Sequence, residues 1–189
     1  MTIIDGWLDW ATKCPSPNFN PRPENADISL LVIHNISLPP NEFGGGYVQQ
    51  FFQNRLDASI HPYFEIIANM QVSAHLFIER DGHVTQFVSF NDRAWHAGNS
   101  CFEGVNNCND YSIGIELEGG DEIPYTEAQY ATLEKVTRQL LQTYPKLTHG
   151  RITGHEHIAP GRKTDPGPAF DWQRYRNSLN YSPGTPMPD

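Results

Sequence analysis

Shortages of positive charge and of long apolar runs limit what this 189-residue chain can be. Lysine and arginine number 13 against 22 acidic residues, which gives a formal net charge of -9. A nucleic-acid partner needs clustered cationic side chains for its phosphates, so the composition argues against one. No apolar run approaches the ~20 residues that span a bilayer, and the first residues lack the pattern of a signal peptide. We therefore expect no membrane partner and a cytoplasmic location.

Cysteine is scarce as well. Cys14, Cys101 and Cys108 are odd in number and lack C-x-x-C spacing, which disfavours both a disulfide framework and a thiolate metal site. This usage fits a reducing compartment. The chain is long enough for one hydrophobic core of ordinary size and short for two, so we expect a single domain.

Histidine and proline are concentrated in residues 154–168, GHEHIAPGRKTDPGP. Because prolines fix φ and glycines permit tight turns, we expect an ordered non-helical loop that holds His155 and Asp165 in a fixed arrangement. Far upstream, LLVIHN at residues 30–35 predicts a buried strand with His34 at its tip. Two histidines and one carboxylate can bind a divalent cation and leave a fourth tetrahedral position open, as catalytic zinc requires.

Other histidines compete for the same role. In an extended segment residues i and i+2 share a face, so His155 and His157 could form an H-x-H metal pair. His61 and His75 are weaker candidates, and His75 in the middle of a strand favours a core position or a role in orienting a ligand. The plainest alternative is that His34 caps a strand while His155 and His157 are ordinary surface residues.

Hydrophobic periodicity predicts an α/β fold: a single domain with a central mixed β-sheet flanked by helices, and with the metal site at the sheet edge. Asp81-Gly82 predicts a hairpin turn between two strands. The predicted strands are 29–35, 72–79, 83–89, 110–120 and 152–155, and the predicted helices are 47–54, 126–144 and 171–179. Residues 29–180 form the predicted domain, residues 1–28 an N-terminal arm packed on it, and residues 181–189 a flexible tail.

Alternation within 110–120 separates two sets of side chains. Ile113, Ile115 and Leu117 fall on one face of the predicted strand, and Glu116 falls on the other. A glutamate on a strand is by default solvent-facing, as we expect for Glu118. A catalytic role for Glu116 therefore needs further support.

Three motifs together resemble a known family. VIHN around His34, SIGIELE around Glu116 and the 154–168 loop are similar to motifs of the peptidoglycan amidases of the N-acetylmuramoyl-L-alanine amidase type 2 family. The likeness covers nearly the whole chain, and HNISLPP, RAWHAG and KTDPGP resemble the cytoplasmic members that act on 1,6-anhydro-muropeptides.

The resemblance implies a reaction and a cofactor. It implies Zn²⁺ held by His34, His155 and Asp165, which agrees with the number of ligands reached from residue chemistry. The resemblance favours His155 over His157, because the family motif places its ligand directly after Gly154. It further implies hydrolysis of the amide between the lactyl group of (anhydro-)N-acetylmuramic acid and L-alanine, in small soluble muropeptides during cell-wall recycling. A non-catalytic peptidoglycan recognition module and an amidase acting on intact cell wall are the alternatives.

The resemblance also implies roles for individual residues. Glu116 is the expected general base, Lys163 the expected partner of the developing oxyanion, and Tyr63 a residue that orients water or substrate. The simpler alternatives are that Lys163 solvates its loop or pairs with Asp165, and that Tyr63 is a half-buried packing residue. The candidate substrate-binding residues are Asn35, Trp95, His96 and Arg162.

Recognition of the substrate peptide is less defined. Arg162 and Lys163, with Arg93 if it folds nearby, would form a basic patch for an anionic substrate on an otherwise acidic protein. Gln71 and the pair 106–107 stand where relatives carry arginines that hold carboxylates of the stem peptide. The resemblance therefore leaves the preferred stem peptide open, and the sequence does not define the oligomeric state.

Overall fold

The computed structural model describes residues 2–180. Its strands are β1 (Ile3–Ile4), β2 (Trp7–Leu8), β3 (Thr12–Lys13), β4 (Phe19–Pro21), β5 (Leu30–Ile36), β6 (Leu76–Ile78), β7 (Val84–Gln86), β8 (Asp92–Ala94), β9 (Cys101–Phe102), β10 (Val105–Asn106), β11 (Ser112–Glu118) and β12 (Ile152–Gly154). Its helices are α1 (Tyr47–Phe52), α2 (Pro62–Ile67), α3 (Glu127–Thr143), α4 (His155–Ile158) and α5 (Trp172–Asn180). Short 3-10 helices cover Cys108–Asp110 and His149–Arg151.

One sheet organises the molecule, with the strand order β12-β5-β11-β6-β7-β3. Neighbouring strands run parallel except β6 and β7, which are antiparallel. The predicted α/β fold with a mixed sheet and flanking helices is confirmed. Two-stranded antiparallel ribbons, β1-β2, β4-β8 and β9-β10, lie outside this sheet.

The predicted hairpin exists but its strands are shorter than expected. Ile78 pairs with Val84 across the Asp81-Gly82 turn. Upstream of β6 the backbone leaves the ladder, because the Ser73 N–H donates to the Trp95 carbonyl at 3.0 Å instead of to a sheet strand. This detour brings Trp95 toward the sheet.

The N-terminal residues take part in the sheet. Thr12 of β3 pairs with Thr85 of β7, so this segment supplies an edge strand, and Leu8 is fully buried. Trp10 packs half-buried against the main core. The boundary at residue 28 stays a prediction, and the predicted tail, 181–189, lies outside the described residues. Among residues 2–180, no helix is long and apolar enough to cross a membrane.

The largest core lies between the sheet and α3 with α5. Leu133, Val136 and Leu140 of α3 are fully buried against the aliphatic face of β11. The predicted capping box is present, since Thr126 Oγ1 accepts from the Gln129 N–H and the Gln129 side chain accepts from the Thr126 N–H. The periodic apolar stripe and its cap therefore give this helix as predicted.

A second cluster packs on the opposite side and contains α1 and α2. Phe52, Phe64 and Phe77 are almost fully buried in it. None of the predicted helices covers α2, although Pro62 at its first turn is a helix-start signal. His61 caps this helix by accepting from the Tyr63 N–H at 3.1 Å, which is a structural role for one of the weaker histidine candidates.

Candidate active site

His34 reaches its position through the alternation of β5. Leu31 and Ile33 face the main core, whereas Leu30 and Val32 face a smaller cluster on the other side, and His34 continues that second face. Its side chain is 1% exposed. The strand runs two residues past His34, so this histidine lies near the strand end rather than at its tip.

His155 is delivered by the neighbouring strand. β12 runs parallel to β5 with Gly154 opposite Ile33, so the next residue, His155, comes beside His34. The expected non-helical loop is wrong here, because His155–Ile158 form one helical turn, α4, before the first proline of the segment. A helix rotates about 100° per residue, so residues i and i+2 point to opposite sides. His155 is buried and the His157 side chain is 58% exposed, which rules out the H-x-H pair.

His34, His155 and Asp165 converge on one point. Nδ1 of His34 lies 3.0 Å from Nδ1 of His155, and Oδ2 of Asp165 lies 3.1 Å from each of them. Tetrahedral zinc with bonds of roughly 2.0–2.1 Å separates its ligand atoms by about 3.3 Å, close to this triangle. The three residues therefore form a group able to hold a metal ion, as their chemistry predicts.

The far side of each imidazole is also occupied. His155 Nε2 lies 3.0 Å from the Ala97 carbonyl oxygen, and His34 Nε2 lies 2.8 Å from His96 Nδ1. A ring nitrogen that donates on one side leaves the other free to bind a cation. Both histidines are thus arranged to present Nδ1 to the shared point.

Burial and pairing set the ionisation of this group. Burial lowers the pKa of His34 to about 4, so the neutral ring that a metal requires is favoured. Burial alone would raise the pKa of Asp165, but hydrogen bonds from His155 and His34 outweigh it and hold the pKa well below its usual range. The site therefore presents a neutral His34 imidazole beside the ionised Asp165 carboxylate.

Glu116 lies next to this triangle. It is opposite His34 in the parallel pairing of β11 with β5, and its side chain is on the face away from the aliphatic core. Only 9% of the residue is exposed, and Oε2 has no hydrogen-bond partner within residues 2–180. Burial, then the charge of Asp165, raises its pKa well above the usual value, while Lys163 acts in the opposite direction. A carboxylate poised in this way is suited to accept a proton.

A cavity of about 500 Å³ opens over the site. The predicted metal ligands line it together with Glu116, Lys163 and Tyr63. Part of its wall is apolar, formed by side chains of α1, α2 and the neighbouring loops: Leu38, Phe51, Phe52, Ile67 and Met70. Tyr63 is half-buried on α2 and Lys163 is exposed on the loop that carries Asp165.

The predicted substrate-binding residues divide into two groups. Asn35, Trp95 and His96 line the cavity. The Asn35 amide donates to Asp121 at 2.8 Å, and Trp95 Nε1 donates to Asn20 at 2.6 Å, so both are also held by the protein. Arg162 lies outside the lining.

The expected basic patch is not assembled around the cavity. The Arg162 guanidinium donates to the Ala97 carbonyl at 2.6 Å and to the Asn99 carbonyl at 2.8 Å. Arg93 pairs with Asp110 at 2.6 Å. Both cations are thus engaged by the protein, because neighbouring carbonyl and carboxylate oxygens lie within reach. Lys163 is the predicted basic residue that lines the cavity.

Other residues appear at the site without a sequence signal. Asp121 and Glu122 lie on the 119–123 loop that forms one cavity wall, and Asn109 anchors the backbone behind His96. No local pattern marks them, since their positions depend on which loops meet at the strand ends. His75 is fully buried and accepts from the Gly114 N–H at 3.1 Å, in keeping with the core position favoured above.

Comparison with known proteins agrees with this geometry. The family model described as N-acetylmuramoyl-L-alanine amidase matches residues 24–168. The 1,6-anhydro-N-acetylmuramyl-L-alanine amidase AmpD of Haemophilus influenzae is 58% identical over 177 residues, 94% of this chain and 96% of that protein. A crystal structure of a selenomethionine AmpD derivative superposes with a TM-score of 0.92 at 52% identity, covering 95% of this chain and 99% of that one.

A more distant structure contains a ligand. It is the amidase AmiD from E. coli in complex with the substrate anhydro-N-acetylmuramic acid-L-Ala-D-gamma-Glu-L-Lys. It is 27% identical with a TM-score of 0.59, covering 82% of this chain and 59% of that one. The family resemblance expected from the sequence is confirmed. The chain belongs to the N-acetylmuramoyl-L-alanine amidase family.

Proposed function

We propose that this chain is a cytoplasmic zinc amidase of cell-wall recycling. It hydrolyses the amide bond between the lactyl group of 1,6-anhydro-N-acetylmuramic acid and L-alanine in soluble peptidoglycan fragments. The observation that carries the proposal is the buried triangle of His34, His155 and Asp165 beside Glu116, whose Oε2 has no hydrogen-bond partner among residues 2–180. The names of the similar AmpD enzymes support the choice of substrate.

Zinc is the proposed ion because the ligands are two imidazole nitrogens and one carboxylate oxygen. Three protein ligands of this kind are typical of catalytic zinc. When bound, Zn²⁺ polarises the amide carbonyl and lowers the pKa of water. The neutral state that burial favours for His34 keeps its Nδ1 lone pair available for the ion.

Glu116 is the proposed general base. Glu116 lines the cavity, and its carboxylate, whose Oε2 has no partner in the described part of the chain, accepts a proton from the attacking water. The same carboxyl group then donates that proton to the leaving L-alanine nitrogen, since a base in one step serves as the acid in the next. The raised pKa of Glu116 suits this second task, because it makes the protonated form accessible.

Lys163 and Tyr63 complete the proposed set. The Lys163 ammonium stabilises the oxyanion that develops on the lactyl carbonyl, and its place in the cavity lining supports this role. The Tyr63 hydroxyl orients water or substrate, and its place in the cavity lining supports this role. Asn35 and Trp95 contact the substrate. Arg162 instead supports the loop between His155 and Asp165, because its guanidinium donates to the backbone carbonyls of residues 97 and 99.

The cavity is suited to a small fragment of the wall. Its volume of about 500 Å³ falls in the range of small-molecule sites, and its apolar wall gives a surface for the sugar ring or peptide. The ligand of the AmiD complex, an anhydro-sugar with a short peptide, belongs to this class of molecule.

Product analysis tests the proposal. The purified protein with bound zinc is incubated with anhydro-N-acetylmuramyl-L-Ala-D-Glu-diaminopimelate, and mass spectrometry follows release of the free tripeptide. We expect release from this fragment to exceed release from intact sacculi. Absence of any release would favour a recognition module, and preference for sacculi would favour an enzyme of the intact wall.

Substitution of a ligand tests the metal site. Asp165→Ala removes the only anionic ligand, and we expect it to lower bound zinc to a small fraction of one equivalent by elemental analysis. Lys163→Ala serves as the matched control, because Lys163 lies on the same loop without contacting the triangle's ligand atoms. Equal metal content in Asp165→Ala and the wild type would show that the ligand set is wrong.

A further inference from the structure

Both metal-facing histidines contact the same short segment. The far nitrogen of His34 meets the His96 ring at 2.8 Å, and the far nitrogen of His155 meets the Ala97 carbonyl at 3.0 Å. His96 and Ala97 are consecutive residues just after β8. One dipeptide therefore lies behind both imidazoles, although His34 and His155 are 121 residues apart.

A buried asparagine fixes this segment. Asn109 Oδ1 accepts from the His96 N–H at 3.1 Å and from the Ala97 N–H at 2.8 Å. Asn109 is itself only 6% exposed. Because one oxygen holds the two N–H groups that flank the His96 Cα, it restrains the backbone on both sides of the imidazole. Arg162 adds a donor to the Ala97 carbonyl.

The hydrogen bonds also define where the ring protons lie. A carbonyl only accepts, so His155 Nε2 donates to Ala97 and its Nδ1 keeps a lone pair. For His34 to present Nδ1 to the same point, its Nε2 must carry the proton and donate to His96 Nδ1. His96 then carries its own proton on Nε2, which lies 3.1 Å from the Ser112 hydroxyl.

A glycine leaves room for the His96 ring. A Cβ at position 114 would lie 2.5 Å from His96 Cγ, closer than packed atoms approach. Gly114 lies in the middle of β11, where the backbone would accept other residues without strain. The absence of a side chain at position 114 therefore leaves the space that the His96 ring occupies.

We propose that His96 and Ala97, anchored by Asn109, are positioning residues that orient His34 and His155 and fix Nδ1 of each as the metal-binding atom. This inference rests on the metal site of the proposed function. It reassigns His96, expected from the sequence to contact substrate, to the support of a ligand. The segment acts through the two imidazoles and takes no part in bond making.

Paired substitutions at His96 test the hydrogen bond to His34. His96→Leu removes the acceptor, whereas His96→Asn returns an oxygen near the place of Nδ1. Zinc affinity of the full-length protein is measured by competition with a chromophoric chelator, and Co²⁺ absorption reports the ligand geometry. We expect His96→Leu to weaken zinc binding by about 10–100-fold with an altered Co²⁺ spectrum. His96→Asn should recover most of the affinity.

A double-mutant cycle separates positioning from general damage. Gly114→Ala leaves every hydrogen-bonding group in place but pushes against the ring, so we expect weaker zinc binding by about threefold or more. Combined with His96→Ala, the same change should cost nothing further, because no ring remains to be displaced. Additive losses would overturn the role assigned to Gly114 and the ring together.

Nuclear magnetic resonance can be applied to the unmodified zinc-bound protein, so this test does not depend on whether a variant folds. Long-range ¹H–¹⁵N spectra of the histidine rings should show the proton on Nε2 of His34, His96 and His155. A proton on His96 Nδ1, or His96→Leu with wild-type affinity and an unchanged Co²⁺ spectrum, would overturn the positioning role alone. A wild-type protein that binds neither Zn²⁺ nor Co²⁺ would overturn the metal site and this inference with it.

Discussion

The two faces of β11 are both buried but chemically opposite. Ile113, Ile115 and Leu117 enter the aliphatic core under α3, and each is at most 1% exposed. The other face carries the four remaining residues of the strand, Ser112, Gly114, Glu116 and Glu118, and these are buried as well. Burial of apolar groups is favourable wherever they pack, but each buried polar group needs a specific partner. The first face therefore stabilises the fold, and the second builds a site.

The polar face shows how specific those partners are. The Ser112 hydroxyl meets His96, and Gly114 makes room for the same ring. The Glu118 carboxylate accepts from the Gly44 N–H at 2.5 Å and from the Arg80 N–H at 3.1 Å. Glu118 is thus buried, and its expected solvent-facing position is wrong because two loops fold over the strand end. Glu116 differs from these neighbours, since one of its oxygens has no partner in the described part of the chain.

The largest difference between the faces should appear with Glu116→Gln. Removing the base should lower kcat for the anhydro-muropeptide by a factor on the order of 10²–10⁴. Stability should not fall, because a pKa raised by burial means that the fold favours the uncharged form. At neutral pH the carboxylate therefore costs stability, and the neutral amide relieves that cost.

Two measurements accompany this variant. Zinc content by elemental analysis should match the wild type, which separates loss of the base from loss of the metal. Thermal unfolding at one fixed zinc concentration should give a Tm no lower than that of the wild type. A kcat within a few-fold of the wild type would exclude Glu116 from the reaction.

The opposite face should respond in the opposite way. Ile115→Ala leaves a cavity in a fully buried aliphatic cluster, and we expect it to lower the free energy of unfolding by about 2–5 kcal/mol. Activity per folded molecule should change little, since the side chain points away from the cavity. Urea unfolding and activity at low denaturant measure the two effects.

Ile115→Val is the matched control, with an expected loss of about 0.5–1.5 kcal/mol. The ratio of the two losses in the free energy of unfolding reports how tightly the core is packed around Ile115. If Ile115→Ala reduced kcat in proportion to stability, the two faces would be coupled, and the separation drawn between core and site would not hold.

The contrast also explains what the sequence predicts well. Period-two alternation separates Ile115 from Glu116, and the 3.6-residue stripe with its capping box defines α3, because both patterns follow from local geometry. Ligand chemistry indicates two histidines and one carboxylate by residue type, and the family resemblance selects His155 over His157. These are properties of individual residues or short segments, so they are visible without the fold.

Features of the site that depend on contacts between loops cannot be predicted from local sequence patterns. Asn109 has no pattern of its own, yet it holds the backbone behind the metal ligands. The proline-rich segment suggests a loop, but His155–Ile158 form α4 because the prolines lie beyond that turn. Arg162 is near Lys163 in sequence and turns away from the cavity to bind backbone carbonyls. The positions of Asn109 and Arg162 depend on contacts between distant segments.

The smallest predicted effect concerns Glu118, which lies on the polar face but outside the triangle. Glu118→Gln keeps one acceptor oxygen and places an NH₂ group against the second N–H, so one of the contacts to Gly44 and Arg80 is lost. We expect a loss of about 1–3 kcal/mol in the free energy of unfolding. Glu42 is exposed and lies on the same loop as Gly44, so the control variant Glu42→Gln should change the free energy of unfolding by less than about 0.5 kcal/mol. Equal effects of the two variants would mean that the buried Glu118 carboxylate does not hold the loop that carries Gly44. Specific hydrogen-bond partners would then matter only for the residues of this face nearest the metal ligands.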